Sequence, residues 1–121
     1  RGAKLMQMDV DSARRHYAEH EGKPFLSALV EFICSGPVLA MTWEGRAAIS
    51  VVRAAVGSTD AAKAAPGTIR GDFAVSSRFN LIHASDSAES ARRELSFFFK
   101  DDELLPWARL DNDFHVSGIV R

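Results

Sequence analysis

The chain has one cysteine, Cys34, among its 121 residues. One thiol closes no intrachain disulfide and supplies no Cys-type zinc site, which excludes the small secreted disulfide scaffolds and favours a reducing compartment, here the cytoplasm. Charge of one sign is lacking as well: Lys+Arg 15 against Asp+Glu 16 leaves a formal net charge of -1. There is no basic field for a polyphosphate backbone, which argues against a dedicated DNA or RNA binder, and any bound anion must be held locally. No apolar run approaches the roughly 18 residues of a membrane span, and the N-terminus has no signal-peptide pattern. Also missing are H-E-x-x-H, paired cysteines, an Asp-rich calcium loop, a Walker-type loop ending in Lys, and G-x-G-x-x-G. Repeats, domain linkers and low-complexity tracts are absent too. What remains is 46% hydrophobic residues in a chain of one-domain size. It is read as a single domain over residues 1–121, burying roughly two thirds of the surface its unfolded form exposes. The chain starts at Arg1 rather than Met, so a truncated or processed segment is expected.

Leu5 to Val10 alternates apolar and polar side chains as a half-buried strand does. Asp11 or Ser12 then caps a helix running through Arg14 to Glu19, which Gly22-Lys23-Pro24 interrupts. Phe25, Leu29, Phe32 and Ile33 recur at helical spacing up to Ser35, with Gly36 as a left-handed stop. The run Val38 to Trp43 suits a strand, and a helix from Arg46 to Val56 is stopped by Gly57. Residues 58 to 79 lack periodicity and are dense in turn formers, which in a compact domain points to a functional loop. Asn80 to Ala84 is a short strand. Asp86 with Glu89 three residues on marks the start of a helix whose buried stripe is Ala88, Ala91, Leu95 and Phe98. Lys100 to Trp107 is a loop with a turn of helix, and Phe114 to Val120 is apolar but untyped. The order is that of an α/β domain with helices covering a small sheet.

His83 stands at the end of the Asn80–Ala84 strand, where the chain turns into a capped helix, and strand ends are where α/β proteins build sites. An imidazole titrating near neutrality is a nucleophile when a carboxylate fixes its tautomer. Glu94, two turns into the helix on the face of Ser87 and Ser90, is that candidate. Taken alone, a single histidine at a strand end is as a rule structural. Arg53 and Arg70, with Thr59 between them, suit bidentate recognition of phosphate oxygens, and their bland alternative is solvation of helix and loop surfaces. Tyr17 and Phe25 read first as surface and core aromatics, although an exposed phenyl ring can stack on a nucleobase. His16, His20 and His115 are assigned to surface or packing.

His16-Tyr17, Lys23-Pro24-Phe25, Ser35-Gly36-Pro37-Val38, Trp43-Glu44-Gly45, the run Pro66 to Phe73 and the run Asn80 to Ser87 closely resemble the nucleoside diphosphate kinases. The motifs stand in family order and spacing from Arg1 to about Phe99. The resemblance implies a ferredoxin-like βαββαβ domain and a ping-pong exchange. In it, the γ-phosphate of a nucleoside triphosphate passes to a histidine and then to a nucleoside diphosphate. By motif match His83 is the phosphorylated nucleophile, with Glu94 and Ser85 holding its ring. Arg53, Thr59 and Arg70 hold the diphosphate, Tyr17 lies near the γ-phosphate, Asn80 binds the sugar, and Phe25 with Leu29 packs on the base. The resemblance further implies Mg²⁺ carried in on the nucleotide phosphates, no resident metal, and a homo-oligomer, a tetramer or hexamer steadied by the Thr59–Phe73 loop. A base that is only stacked sets no identity, so many nucleosides are expected to be accepted.

Three departures stand out. The family begins with a strand carrying Lys-Pro-Asp-Gly and a long helix; neither is in these 121 residues, so the sequence is expected to be a fragment, competent when that strand and lysine are supplied. Ala84 follows the histidine where the family usually has glycine, and a methyl group there would crowd the ring or exclude a positive φ. Ser77 stands where many members place an apolar residue near the base. The alternative these departures suggest is a weak or non-catalytic member kept for nucleotide binding or assembly. An RNA-binding module of the same architecture is disfavoured by charge and by the missing aromatic strand motif.

Overall fold

The computed structural model describes residues 1–18, 21–24 and 26–106, with only the backbone of Ala28 and Leu29. Glu19, Phe25, Trp107 and the 114–120 segment lie outside the described residues. The element order is β1 (Gly2–Met6), α1 (Val10–His16), α2 (Leu26–Cys34), β2 (Val38–Thr42), α3 (Ala48–Val56), α4 (Ile69–Phe73) and α5 (Ala88–Phe98), with 3-10 turns at Ala61–Lys63 and Asp101–Glu103.

The two strands pair antiparallel, Gly2 opposite Thr42, Lys4 opposite Ala40 and Met6 opposite Val38. Their side chains alternate, so Leu5, Leu39 and Met41 are exposed while Met6 packs at the core. Residues 99–105 lie along β1. Lys4 donates to both carboxylate oxygens of Glu103 at 2.8 and 2.6 Å, and a Cβ on Gly2 would sit 2.9 Å from the Glu103 carbonyl oxygen. The strand begins and ends earlier than the alternation suggested. Met8 turns into the core and Asp9 leaves the strand to cap α1, its carboxylate accepting from the Ser12 amide at 2.8 Å and the Ser12 hydroxyl at 2.8 Å. Asp9, not Asp11 or Ser12, is therefore the cap.

Met8, Ala13, Leu26 and Val30 form the core, with Tyr17, Ile33, Phe97 and Phe98 packed against it. Burying each large apolar side chain there contributes about 1.5–3 kcal/mol. This contact brings the end of α1 against the last turn of α5, which matters for the site below. α2 closes at Cys34 without the expected left-handed Gly36: the Ser35 amide and hydroxyl both bond the Phe32 carbonyl, at 3.2 and 2.6 Å, and finish the last turn. α3 starts at Ala48 rather than Arg46, because Ala47 sits at φ 53, outside the right-handed helical region.

Two further expectations change. The 58–79 segment contains α4 and a 3-10 turn, made by Thr68 and Asp60 side chains accepting from the Gly71 and Ala62 amides. Asn80–Ala84 is not a strand: no neighbouring strand lies beside it among the described residues. Leu81 adopts φ 69, and the Ile82 amide closes a γ-turn onto the Asn80 carbonyl at 2.8 Å. Gly57 does stop α3 as expected. It holds φ 90, and a Cβ there would come 2.4 Å from the Thr68 hydroxyl.

Candidate active site

The site is assembled by the N-terminal half of α5 and the turn that precedes it. Ser87 caps the helix, its Oγ accepting the Ser90 amide at 3.1 Å. Asp86, expected as the cap, instead accepts the Ser90 hydroxyl at 2.6 Å. That bond, then one from Ser87 and more weakly the Arg53 charge, holds the Asp86 carboxyl below its ordinary range. A straight helix of this pitch carries Glu94 two turns along, back over the turn on the side where its carboxylate meets His83 and Ser85. The expected stripe is half-buried at Ala91, Leu95 and Phe98, whereas Ala88 is exposed.

The His83 Nε2 lies 2.8 Å from Glu94 Oε1, and the Ser85 hydroxyl donates to Glu94 Oε2. An ionised carboxylate only accepts, so Nε2 carries the proton and, in the neutral ring, Nδ1 carries the lone pair. The Glu94 side chain is 14% exposed and the imidazole 50%. One partner is fixed inside and the other is open to an incoming group. Ala84 is not among the residues with positive φ, so the methyl that replaces the usual glycine costs no backbone strain. Its carbonyl accepts from Arg53 Nη1 at 3.1 Å.

The two arginines bracket the histidine. Arg53 bonds the carbonyl after it, and Arg70 Nη2 bonds the carbonyl before it, Ile82, at 2.5 Å. Arg53 is exposed. Arg70 is buried, only 6% exposed, and also donates to Gly57 O at 3.2 Å, Asn80 O at 3.4 Å and Thr59 Oγ1 at 3.5 Å. Burial first and the nearby Arg53 charge second lower its pKa. A guanidinium with these bonds ties the 57–59 turn to the 80–82 turn, a role that residue type alone did not reveal. Asn80 enters through its backbone carbonyl. Ser77 donates to Asp60 at 3.0 Å, which together with the Ala62 amide lowers the Asp60 pKa. An open cleft of about 670 Å³, lined by Gly45, Ala48, Arg53, Asp86 and Ser87 among others, shares Arg53 with the site but not His83.

Tyr17 follows α1 as its C-cap and packs against the core. Burial, then the Glu94 charge, pushes its phenol pKa up to about 12. His16 comes with it, and this residue was assigned to surface or packing. Its ring does pack, on Phe97 and Phe98 at centroid distances of 5.4 and 4.9 Å, but it also meets the His83 ring edge-on at 5.7 Å. The signal was present in the His16-Tyr17 pair, since consecutive residues at a helix end stay close in space. Phe25 and the Leu29 side chain lie outside the described residues. The remaining members, His83, Glu94, Ser85, Arg53, Thr59, Arg70, Asn80 and Tyr17, thus come from three separate stretches of chain to one region.

The model of the family described as nucleoside diphosphate kinase matches residues 1–104. The chain belongs to the nucleoside diphosphate kinase family. It is 55% identical over 111 residues to a nucleoside diphosphate kinase of Archaeoglobus fulgidus, covering 92% of this chain and 74% of that protein. It is 54% identical over 113 residues to one of Bacillus licheniformis, covering 93% of this chain and 76% of that protein. Among solved structures, the halophilic nucleoside diphosphate kinase of Halobacterium salinarum in complex with CDP superposes with a TM-score of 0.88 at 51% identity, covering 93% of this chain and 76% of that one. The fold is accordingly α+β and ferredoxin-like, the two described strands being part of its antiparallel sheet. The enzyme class is nucleoside diphosphate kinase, and among the described residues no helix is long and apolar enough to cross a membrane.

Proposed function

We propose that the chain transfers the γ-phosphate of a nucleoside triphosphate to a nucleoside diphosphate through phosphorylated His83. The observation that carries the reading is the Glu94 bond to Nε2, which leaves the Nδ1 lone pair as the nucleophile. In the first half-reaction that lone pair attacks the γ-phosphorus, the bond to the β-phosphate oxygen breaks, and the nucleoside diphosphate leaves with its negative charge. In the second, a terminal oxygen of another nucleoside diphosphate attacks the same phosphorus and the P–N bond breaks. The imidazolium-like charge that develops on the ring is offset by Glu94, itself held by Ser85. The transferring group needs alignment and charge more than covalent help. Exposed Arg53 and Thr59 supply donors to the diphosphate, and Arg70 supplies its charge while holding both turns in place.

Asn80 is assigned to the sugar, Phe25 and Leu29 to the base, and Tyr17 to the neighbourhood of the γ-phosphate. Mg²⁺ enters as part of the substrate. Among the described residues the group whose geometry could hold a metal ion is His16, His83 and Glu94, nitrogen-rich and unlike the all-oxygen octahedral shell Mg²⁺ takes, which supports delivery on nucleotide phosphates. The relative solved with CDP supports a nucleotide site of the same kind here. Assembly as a homo-tetramer or hexamer is proposed on the family likeness, and sedimentation as a monomer at micromolar concentration would contradict it.

The test is incubation of the full-length protein with γ-labelled ATP. The reading expects an acid-labile, base-stable phosphoenzyme that His83→Ala abolishes, and release of the label on adding a different nucleoside diphosphate. Absence of label on the wild-type protein overturns it.

A further inference from the structure

We propose that His16, His83 and Glu94 form a binding site for a borderline divalent cation of the Zn²⁺ type, and that its occupancy silences His83. One ligand atom from each residue lies within 4.8 Å of the others, and the His83–Glu94 pair is already at 2.8 Å. Donors around a tetrahedral zinc stand about 3.3 Å apart for bonds of about 2.0–2.1 Å, so small side-chain rotations close the set. Two imidazoles and a carboxylate are the donor types of a three-ligand zinc site that keeps a fourth position open. Two of the three ligands are held from behind. His16 is packed on Phe97 and Phe98, Glu94 accepts from Ser85 behind the cluster, and the exposed face of His83 leaves the fourth position for water or a phosphate oxygen.

The consequence for the ring follows from proton counting. If the cation takes Nε2 it displaces the proton shared with Glu94. In the neutral ring that proton moves to Nδ1, which then has no lone pair to offer. If the cation takes Nδ1 it occupies the nucleophilic lone pair directly. Either way the cation stops phosphate uptake, and removing it restores the original tautomer. This silencing rests on the phosphohistidine reading; the binding does not.

Binding is measured on nucleotide-free protein by competition with a chromogenic zinc indicator. The expected result is one Zn²⁺ per chain, weakened at least about tenfold in His16→Gln, since losing even a group behind a ligand costs about 10–100-fold. Because His16 also packs on phenyl rings, zinc titration of the wild type followed by NMR of the imidazole protons gives a readout independent of that variant: His16 and His83 should shift together. Absence of stoichiometric uptake, unchanged affinity in folded His16→Gln, or a shift of His83 without His16 overturns the site. Silencing is read on the zinc-loaded protein, freed of excess metal, as a loss of label from γ-labelled ATP that a chelator reverses. Full labelling of zinc-loaded protein overturns the silencing. Failure to label even without zinc overturns the phosphohistidine reading and the silencing with it, while metal uptake still judges the site.

Discussion

Replacing Glu94 with Gln should slow phosphorylation of His83 without unfolding the chain. The wild-type bond is 2.8 Å and charge-assisted. Such bonds contribute about 1.5–3 kcal/mol, which at about 1.4 kcal/mol per decade is a factor of about 10–150 in rate. The imidazole is 50% exposed, so screening places the effect toward the lower end of that range. A second effect adds to it. If the amide NH₂ faces Nε2, it donates there, and the ring proton is forced onto Nδ1, the tautomer that cannot attack. Rapid-quench measurement of protein-bound label from saturating γ-labelled ATP reads the rate directly, with circular dichroism as the check on folding. Ser85→Ala removes only the hydroxyl behind the carboxylate and should cost about 1 kcal/mol, about fivefold. Folded Glu94→Gln phosphorylated at the wild-type rate would refute the reasoning, because the carboxylate would then have no part in presenting Nδ1.

Arg70→Met should lower unfolding free energy by about 2–5 kcal/mol in denaturant titration, since it leaves carbonyls of Gly57, Asn80 and Ile82 without their donor; unchanged stability would contradict its role in tying the two turns together. Arg53→Ala, at an exposed position with one 3.1 Å bond to the chain, should raise the nucleotide KM while leaving the thermal midpoint nearly unchanged. Tyr17 is the single tyrosine, so the 295 nm absorbance reports it alone, and the native protein should titrate above the ordinary phenol value of 10.0, toward about 12. Because the folded pKa is the higher one, the stability Tyr17 contributes is complete below pH 10 and is lost as pH rises toward about 12; a native midpoint at 10 would contradict the burial. Ser87→Ala should cost about 1 kcal/mol through loss of the α5 cap.

Residue patterns carried much of this architecture, and where they failed the reason is local. Helices α2, α3 and α5 were legible from apolar spacing, and Gly57 from its position after α3. The cap of α1 was misplaced because Asp9, Asp11 and Ser12 are all competent caps, and only the burial of Met8 decides among them. Asn80–Ala84 reads as a strand by composition, yet a strand exists only with a partner; here its carbonyls go to Arg70 and its chain bends at Leu81. The site was legible as types: an imidazole, a carboxylate at helical distance, two guanidinium groups. What sequence could not supply was which donors face the ligand and which face the chain. That is why Arg70 read as a phosphate-binding cation although it is buried and bonded to chain carbonyls, and why His16, assigned to surface or packing, gave no sign that its ring also meets His83.

The most direct measurement is the position of the phosphate on the ring, read by long-range proton–nitrogen NMR of the phosphorylated full-length protein. With Nε2 committed to Glu94, the phosphate is predicted on Nδ1 of His83. A phosphate on Nε2, or on any other residue, would contradict the mechanism.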